Sequence, residues 1–264
     1  MRTDFDRAYV EGHGNIAVLK LNHPEVLNAA SLRLVTGAAR ALDFISKPDS
    51  GFRCVVLTGE GRGFCSGANL AERGAGETEP PAFHALETVY HPFLRKMRDL
   101  RMPIITAVNG AAAGVGMSIA LMGDLVLAGK SSYFLQAFAR IGLVPDGGST
   151  WILPRLIGLA RAKELSLLAE KLPAEQALEW GLINRVVDDA ALLDEALAYA
   201  KRIADGPTLS LSEIRRLYWA SPHNTYEQQL DLEKQIQDKQ GRTADFAEGV
   251  RAFLEKRTAN FTGK

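Results

Sequence analysis

AVNGAAAGVGMSIAL (residues 107–121) joins an apolar run, Pro103 to Val108, to a segment with helical spacing at Met117, Ile119, Ala120 and Leu121. The apolar run reads as a buried strand. Asn109-Gly110, three alanines and Gly114-Val115-Gly116 read as a loop of small residues that opens the helix. The first amides of a helix have no partner within it and point outward. The helix dipole adds partial positive charge there, and Gly and Ala let an anion come close to the backbone. Two readings fit these residues: a cradle for an oxyanion, or a place where backbones simply pack closely. A nucleotide loop does not fit, because GVGMS lacks the spacing and no Gly-Lys-Ser/Thr comes after it.

Outward from that stretch, short strands and helices alternate. Asn15–Leu21 and Cys54–Leu57 read as strands, and Ser31 is a good N-cap for a helix to about Ile45. A Gly-rich loop, Gly59–Gly67, leads to Ala68-Asn69-Leu70. Residues 71–81 have the composition of a mobile segment that would shape a pocket. A helix is expected over about Phe83–Arg98, and strands at Ile104–Val108, Asp124–Ala128 and Tyr133–Leu135. LVPDGGST (143–150) is turn-rich and enters a helix predicted to break near Pro154. Beyond Ala160 helical spacing dominates, with Ile183–Val187 as the one strand signal. The pattern predicts an α/β core, residues 1–205, and a helical C-terminal region, residues 206–264, joined at Gly206-Pro207.

Composition narrows the function. The 264 residues suffice for one large core, and 31 basic residues balance 31 acidic ones. The zero net charge speaks against nucleic acid as a partner and favours self-association. Two cysteines, Cys54 and Cys65, point to a reducing, cytoplasmic setting rather than a disulfide scaffold. The first fifteen residues hold no apolar signal core, and no apolar run is long enough to span a membrane. The five histidines show no metal-ligand spacing, so no metal is expected, and Asp124 reads as structural.

Three stretches taken together carry a resemblance: GFCSGANL (63–70), AVNGAAAGVGMSIAL (107–121) and LVPDGGSTWILPRLIG (143–158). LNHPEVLNA (21–29), ALEWGLINRVV (177–187) and EGVRAFLEKR (248–257) support it. In order and spacing they resemble the crotonase, or enoyl-CoA hydratase/isomerase, superfamily over nearly the whole chain. The resemblance implies a spiral of ββα turns with a C-terminal helical trimerisation region, and a homotrimer or a hexamer of paired trimers. It implies an acyl-CoA substrate, no cofactor beyond the substrate's own CoA, and a closest likeness to isomerases of the phenylacetate-degradation type. By motif position the Ala68 and Val115 amides would grip the thioester oxygen. Ser66, Leu27, Gly114, Phe138 and Trp151 would line the substrate.

The side chains over the acyl group choose the reaction. Hydratases of the superfamily carry two glutamates, at the positions held here by Ser118 and Phe138. Without paired carboxylates a water is neither held nor activated efficiently. What remains is Asp146, which the isomerases share; by its residues alone it could equally be a turn aspartate capping the next helix. A single carboxylate suffices to move a proton from C2 to C4 of a 3-enoyl-CoA, with the enolate resting on the two amides. Phe138, Ile141 and Trp151 are the expected apolar neighbours that would raise its basicity. A hydratase working through an Asp146-positioned water, and a CoA-binding partner without chemistry, are the competing readings. One departure stands out: Glu25 occupies a turn where relatives place a cation for the CoA phosphates, and Arg33, Arg62 or Lys256 would have to substitute.

Overall fold

The computed structural model describes residues 2–70 and 82–264, so the segment 71–81, expected to be mobile, lies outside the described residues. In chain order the elements are β1 (Arg2–Phe5), β2 (Ala8–His13), β3 (Ile16–Leu21), α1 (Leu32–Ile45) and β4 (Cys54–Gly59). A helical run, α2, is made of Ala82–Ala85, a π-helical stretch Leu86–Tyr90, and His91–Asp99. Then come β5 (Ile104–Val108), β6 (Ala111–Ala113), α3 (Val115–Ala120), β7 (Leu125–Gly129), β8 (Tyr133–Leu135), α4 (Ser149–Leu168), β9 (Leu172–Pro173), α5 (Ala174–Glu179) and β10 (Arg185–Val187). Four helices close the chain: α6 (Leu192–Ala204), α7 (Thr208–Ala220), α8 (Tyr226–Gln240) and α9 (Ala244–Leu254).

The strands form a seven-stranded sheet, order β1-β2-β3-β4-β5-β7-β10, and a three-stranded sheet, order β6-β8-β9. From β3 onward the large sheet is parallel, with Val18 opposite Val56 and Val56 opposite Ile105. Its central strands β4 and β5 are buried at every position because both faces are covered, with Thr58 and Thr106 as their polar members. Ala17, Leu19, Val55 and Leu57 pack into the cluster that also holds α1 and α2. The alternate residues Val18, Cys54, Val56 and Ile105 meet Leu192, Ala196, Ala200 and Ala204 of α6, a small-residue stripe at four-residue spacing. The chain then coils by repetition: β5–β6–α3 and β7–β8–α4 each place one strand in either sheet and end in a helix.

Two local expectations shift. Residues 111–113 are not loop but the strand β6, paired with Tyr133–Leu135. Alanine has little strand preference of its own, so the pairing comes from its partner. The helix after residue 148 runs through Pro154 and breaks instead at Gly158, whose φ of 76° and ψ of 160° suit glycine alone. The cost of Pro154 is one missing N–H opposite the carbonyl of exposed Thr150, which water can serve. The N-terminal hairpin β1–β2 has no clear signal in the sequence.

The C-terminal helices are pinned to the sheet by two arginines. Arg53, just before β4, donates to Thr208 Oγ1 at 2.6 Å, to the Phe261 carbonyl at 3.0 Å and to the Gly206 carbonyl. Arg215 of α7 donates from Nε to Asp124 Oδ2 at 2.6 Å and from Nη2 to the Met97 carbonyl at 3.1 Å, and reaches the Leu100 carbonyl through Nη1. Asp124 also accepts from Ile104 N–H at 2.7 Å, so it is structural as expected. No helix among the described residues is long and apolar enough to cross a membrane.

Candidate active site

Two peptide segments run side by side at the centre of the site. Cys65 N–H donates to the Ala111 carbonyl at 2.9 Å, and Ala113 N–H donates to the Cys65 carbonyl at 3.0 Å, a parallel bridge of residue 65 with residue 112. Carried forward in the same register, 67 stands beside 114 and 68 beside 115. Packing agrees: a Cβ built on Gly114 would lie 3.8 Å from Gly67 Cα, and one on Gly67 would lie 3.1 Å from the Ala113 carbonyl oxygen. The two amides singled out in the sequence, Ala68 and Val115, thus come directly after two backbones in contact. Neither N–H donates to a protein acceptor among the described residues.

Each amide is set by its neighbours. Val115 is the first residue of α3, all of which is buried. Gly114 before it has φ 51° and ψ −129°, a turn conformation that side chains resist. Ala68 is positioned from the other side by Ala30, whose N–H donates to the Gly67 carbonyl at 2.7 Å and which bridges Ala68. The bridge uses the groups flanking residue 68 and leaves the Ala68 N–H outside it. Ser66 is held by its N–H to the Leu27 carbonyl at 3.0 Å and its Oγ to the Val26 carbonyl at 2.9 Å. Leu27 and Asn28 both have positive φ, 52° and 55°. Buried Asn28 secures that turn by donating to the Glu60 and Gly63 carbonyls at 2.9 and 2.7 Å while accepting from His23 N–H. Burial pushes the Cys65 thiol up to about 11, so it stays neutral beside this ribbon.

Asp146 lies one residue from the same hollow. A Cβ built on Gly147 would stand 2.7 Å from Ser118 Cβ and 3.5 Å from Val115 Cγ2. The Asp146 carbonyl accepts from Ser118 Oγ at 3.0 Å, Ser149 Oγ at 2.8 Å and Ser149 N–H at 3.2 Å. Its side chain is part-buried, with Oδ1 withdrawn from solvent. The sequence marks Ser118 only as a missing carboxylate. Its part in holding the Asp146 turn depends on the fold and leaves no sequence signal; the same holds for Ser149, which sequence reasoning does not single out.

Of the remaining expected residues, Phe138 belongs here: it is buried, and its Cζ lies 3.8 Å from where a Cβ on Gly114 would be. The other two expected apolar neighbours of Asp146 sit in different surroundings. Ile141 is 52% exposed and removes little water. Trp151 stacks on Trp219, ring centres 5.4 Å apart, and on His223 at 5.8 Å. With Gly147 and Gly148 it lines a cavity of about 950 Å³ against the C-terminal helices, beyond the 68/115 hollow. Arg33 is held bidentate by Asp6, both contacts 2.9 Å, and that guanidinium lowers the Asp6 carboxyl below its usual range. Glu25, Arg62 and Lys256 stand exposed. No cluster of potential metal ligands occurs among the described residues.

Comparison with known proteins covers nearly the whole chain. Residues 11–264 match the family described as enoyl-CoA hydratase/isomerase. The chain is 45% identical over 251 residues to 1,2-epoxyphenylacetyl-CoA isomerase of Escherichia coli, covering 94% of this chain and 95% of that one. It is 43% identical over 253 residues to a Rhodobacter capsulatus protein named "Probable enoyl-CoA hydratase", with the same coverage. A crystal structure of an enoyl-CoA hydratase from Polaromonas superposes with a TM-score of 0.91 at 33% identity, covering 97% of this chain and 99% of that one.

Proposed function

The chain belongs to the enoyl-CoA hydratase/isomerase family, and from that premise we propose that it is an acyl-CoA isomerase working with one carboxylate, Asp146, and two backbone amides, Ala68 and Val115. The substrate is a 3-enoyl-CoA or a ring-derived acyl-CoA; the 45% likeness to a protein named for a ring-derived acyl-CoA supports the second. CoA is part of that substrate and no further cofactor takes part.

The proposed reaction moves one proton. Asp146 takes the C2 proton of the acyl group, and the electron pair left behind delocalises onto the thioester oxygen. The Ala68 and Val115 N–H groups receive that charge already aimed, and one such donor is worth roughly 3 kcal/mol. The same carboxylate returns the proton at C4, giving the conjugated 2-enoyl-CoA. Ser66 and Leu27 hold the chain on which the CoA lies, and Gly114 and Phe138 wall the acyl group.

One observation carries the choice of isomerase over hydratase. At the two positions where hydratases hold water between carboxylates, Ser118 donates its proton to the Asp146 carbonyl and Phe138 packs on Gly114. Neither can activate water. Assay of the pure protein with 3-enoyl-CoA and with 2-enoyl-CoA tests this: turnover of the first alone is expected. Hydration of the second would favour an Asp146-positioned water, and turnover of neither a binding protein. Asp146→Asn should lower isomerase turnover by about 10²–10⁴-fold while CoA binding persists. Unchanged turnover in that variant would remove Asp146 from the mechanism.

A further inference from the structure

Tyr90 ends the π-helical stretch of α2. Ala85 and Tyr90, five residues apart, are both buried, the spacing of a single π turn. The extra residue rotates the C-terminal part of α2 by about 100° relative to an uninterrupted α-helix. In this phase Tyr90 falls on the same inward stripe as Phe93, Leu94 and Met97. The side chain is 2% exposed, and its hydroxyl donates to the carbonyl of Ala30. A tyrosine hydroxyl brought into an apolar cluster needs such a partner, because burial without one forfeits its hydrogen bonds to water.

The partner is what gives Tyr90 a function. Ala30 is the residue that bridges Ala68, and its N–H grips the Gly67 carbonyl at 2.7 Å. The Tyr90 hydroxyl therefore anchors the peptide that follows Ala30, directly after the one whose N–H grips Gly67. Ala30 is also anchored from the N-terminal half through its neighbour: Ser31 caps α1 and accepts from Arg7 at 3.0 Å. Tyr90 supplies the only hydroxyl anchor to the Ala30 carbonyl among the hydrogen bonds of the described residues.

We propose that Tyr90 is a positioning residue for the reaction: through Ala30 it holds the Ala68 amide at the orientation in which it grips the thioester oxygen. This rests on the oxyanion reading of Ala68 and Val115. An amide that swings by some tens of degrees loses most of its grip on the oxygen, since hydrogen bonds weaken steeply away from linearity. The thioester would still bind through its CoA; only the charge that develops on the oxygen would lose support.

The test compares wild type with Tyr90→Phe, which keeps the ring and removes the hydroxyl. The probe is a conjugated aryl-enoyl-CoA, whose absorption band moves to the red as its carbonyl is polarised. Its thioether analogue, which lacks the carbonyl oxygen, reports the CoA site alone. The expected result is a clear red shift in wild type, a smaller one in Tyr90→Phe, and equal thioether affinity in both. Isomerase kcat should fall roughly tenfold, with KM within about twofold, as for a weakened oxyanion donor. An equal red shift and equal kcat in the variant would overturn the inference, and so would loss of thioether binding, which would make the hydroxyl a general support of the pocket. Absence of any red shift in wild type would instead overturn the oxyanion reading beneath it.

Discussion

Ser118 shows how one hydroxyl can bind a reaction to a turn. It is fully buried, sits on the short helix that begins with the Val115 amide, and donates to the carbonyl of Asp146. The proposed base and one proposed oxyanion donor are thereby fixed to each other across two turns of chain. Ser118→Ala leaves that carbonyl with its two Ser149 donors, so the fold should lose only about 1 kcal/mol. The base, less well placed, should lose several-fold in kcat with KM almost unchanged. Thermal melting and steady-state kinetics check this, and a KM effect without a kcat effect would contradict it. The turn at Asp146 is legible in LVPDGGST, and the chemistry proposed for it comes from the family resemblance. Ser118 is legible only as an absence: no pattern in MSIAL says which carbonyl, 28 residues on, its hydroxyl will meet.

At the scale of elements, the site depends on how closely α3 lies against the ribbon 65–68. A Cβ built on Gly116 would fall 2.3 Å from the Cys65 carbonyl oxygen and 2.8 Å from its Sγ. Contacts that short force one segment away, and the Cys65 carbonyl is backbone that already accepts from Ala113 at 3.0 Å. Gly116→Ala should therefore wedge the helix off the ribbon and part the Ala68 and Val115 amides. The general helix preference of alanine, about 1 kcal/mol over glycine, works the other way, so the sign of the stability change decides between packing and propensity. A lower melting temperature together with reduced turnover is expected; a more stable, equally active variant would show that the helix has room to shift. GVG is readable as a close approach, though not what it approaches. AAA at 111–113 is unreadable as strand, since its pairing is decided by Tyr133–Leu135. Pro154 draws the predicted helix break that Gly158 makes, because the sequence rule sees proline's missing N–H and not the exposure of Thr150, whose carbonyl water can serve.

At the scale of the molecule, the contact most exposed to test is the one that ties the C-terminal helices to the sheet. The alternation of strands and helices, and the helical last third, can be read from periodicity. The Asp124–Arg215 pair cannot, because its members are 91 residues apart and each alone looks ordinary. Arg215 is buried and also satisfies the carbonyls of Met97 and Leu100 at the end of α2. Removing one partner of a fully buried pair costs about 3–5 kcal/mol, chiefly by stranding the other charge, but the Asp124 side chain is 24% exposed and solvent screens part of that cost. Arg215→Met keeps much of the bulk and should lose about 1–3 kcal/mol at neutral pH. Acid should restore part of it. Burial already raises the Asp124 carboxyl above its ordinary value, against the pull of Arg215. A carboxyl raised on folding binds more protons folded than unfolded between its ordinary and raised values, so stability falls as pH climbs through that window and is regained below it. Without Arg215 the carboxyl rises further, the window widens toward neutral, and protonation relieves the stranded charge. The gap in melting temperature between wild type and Arg215→Met should therefore be greatest near pH 7 and narrow steadily toward pH 5. A gap independent of pH would mean that the carbonyls of Met97 and Leu100, and not the charge on Asp124, are what Arg215 holds in place.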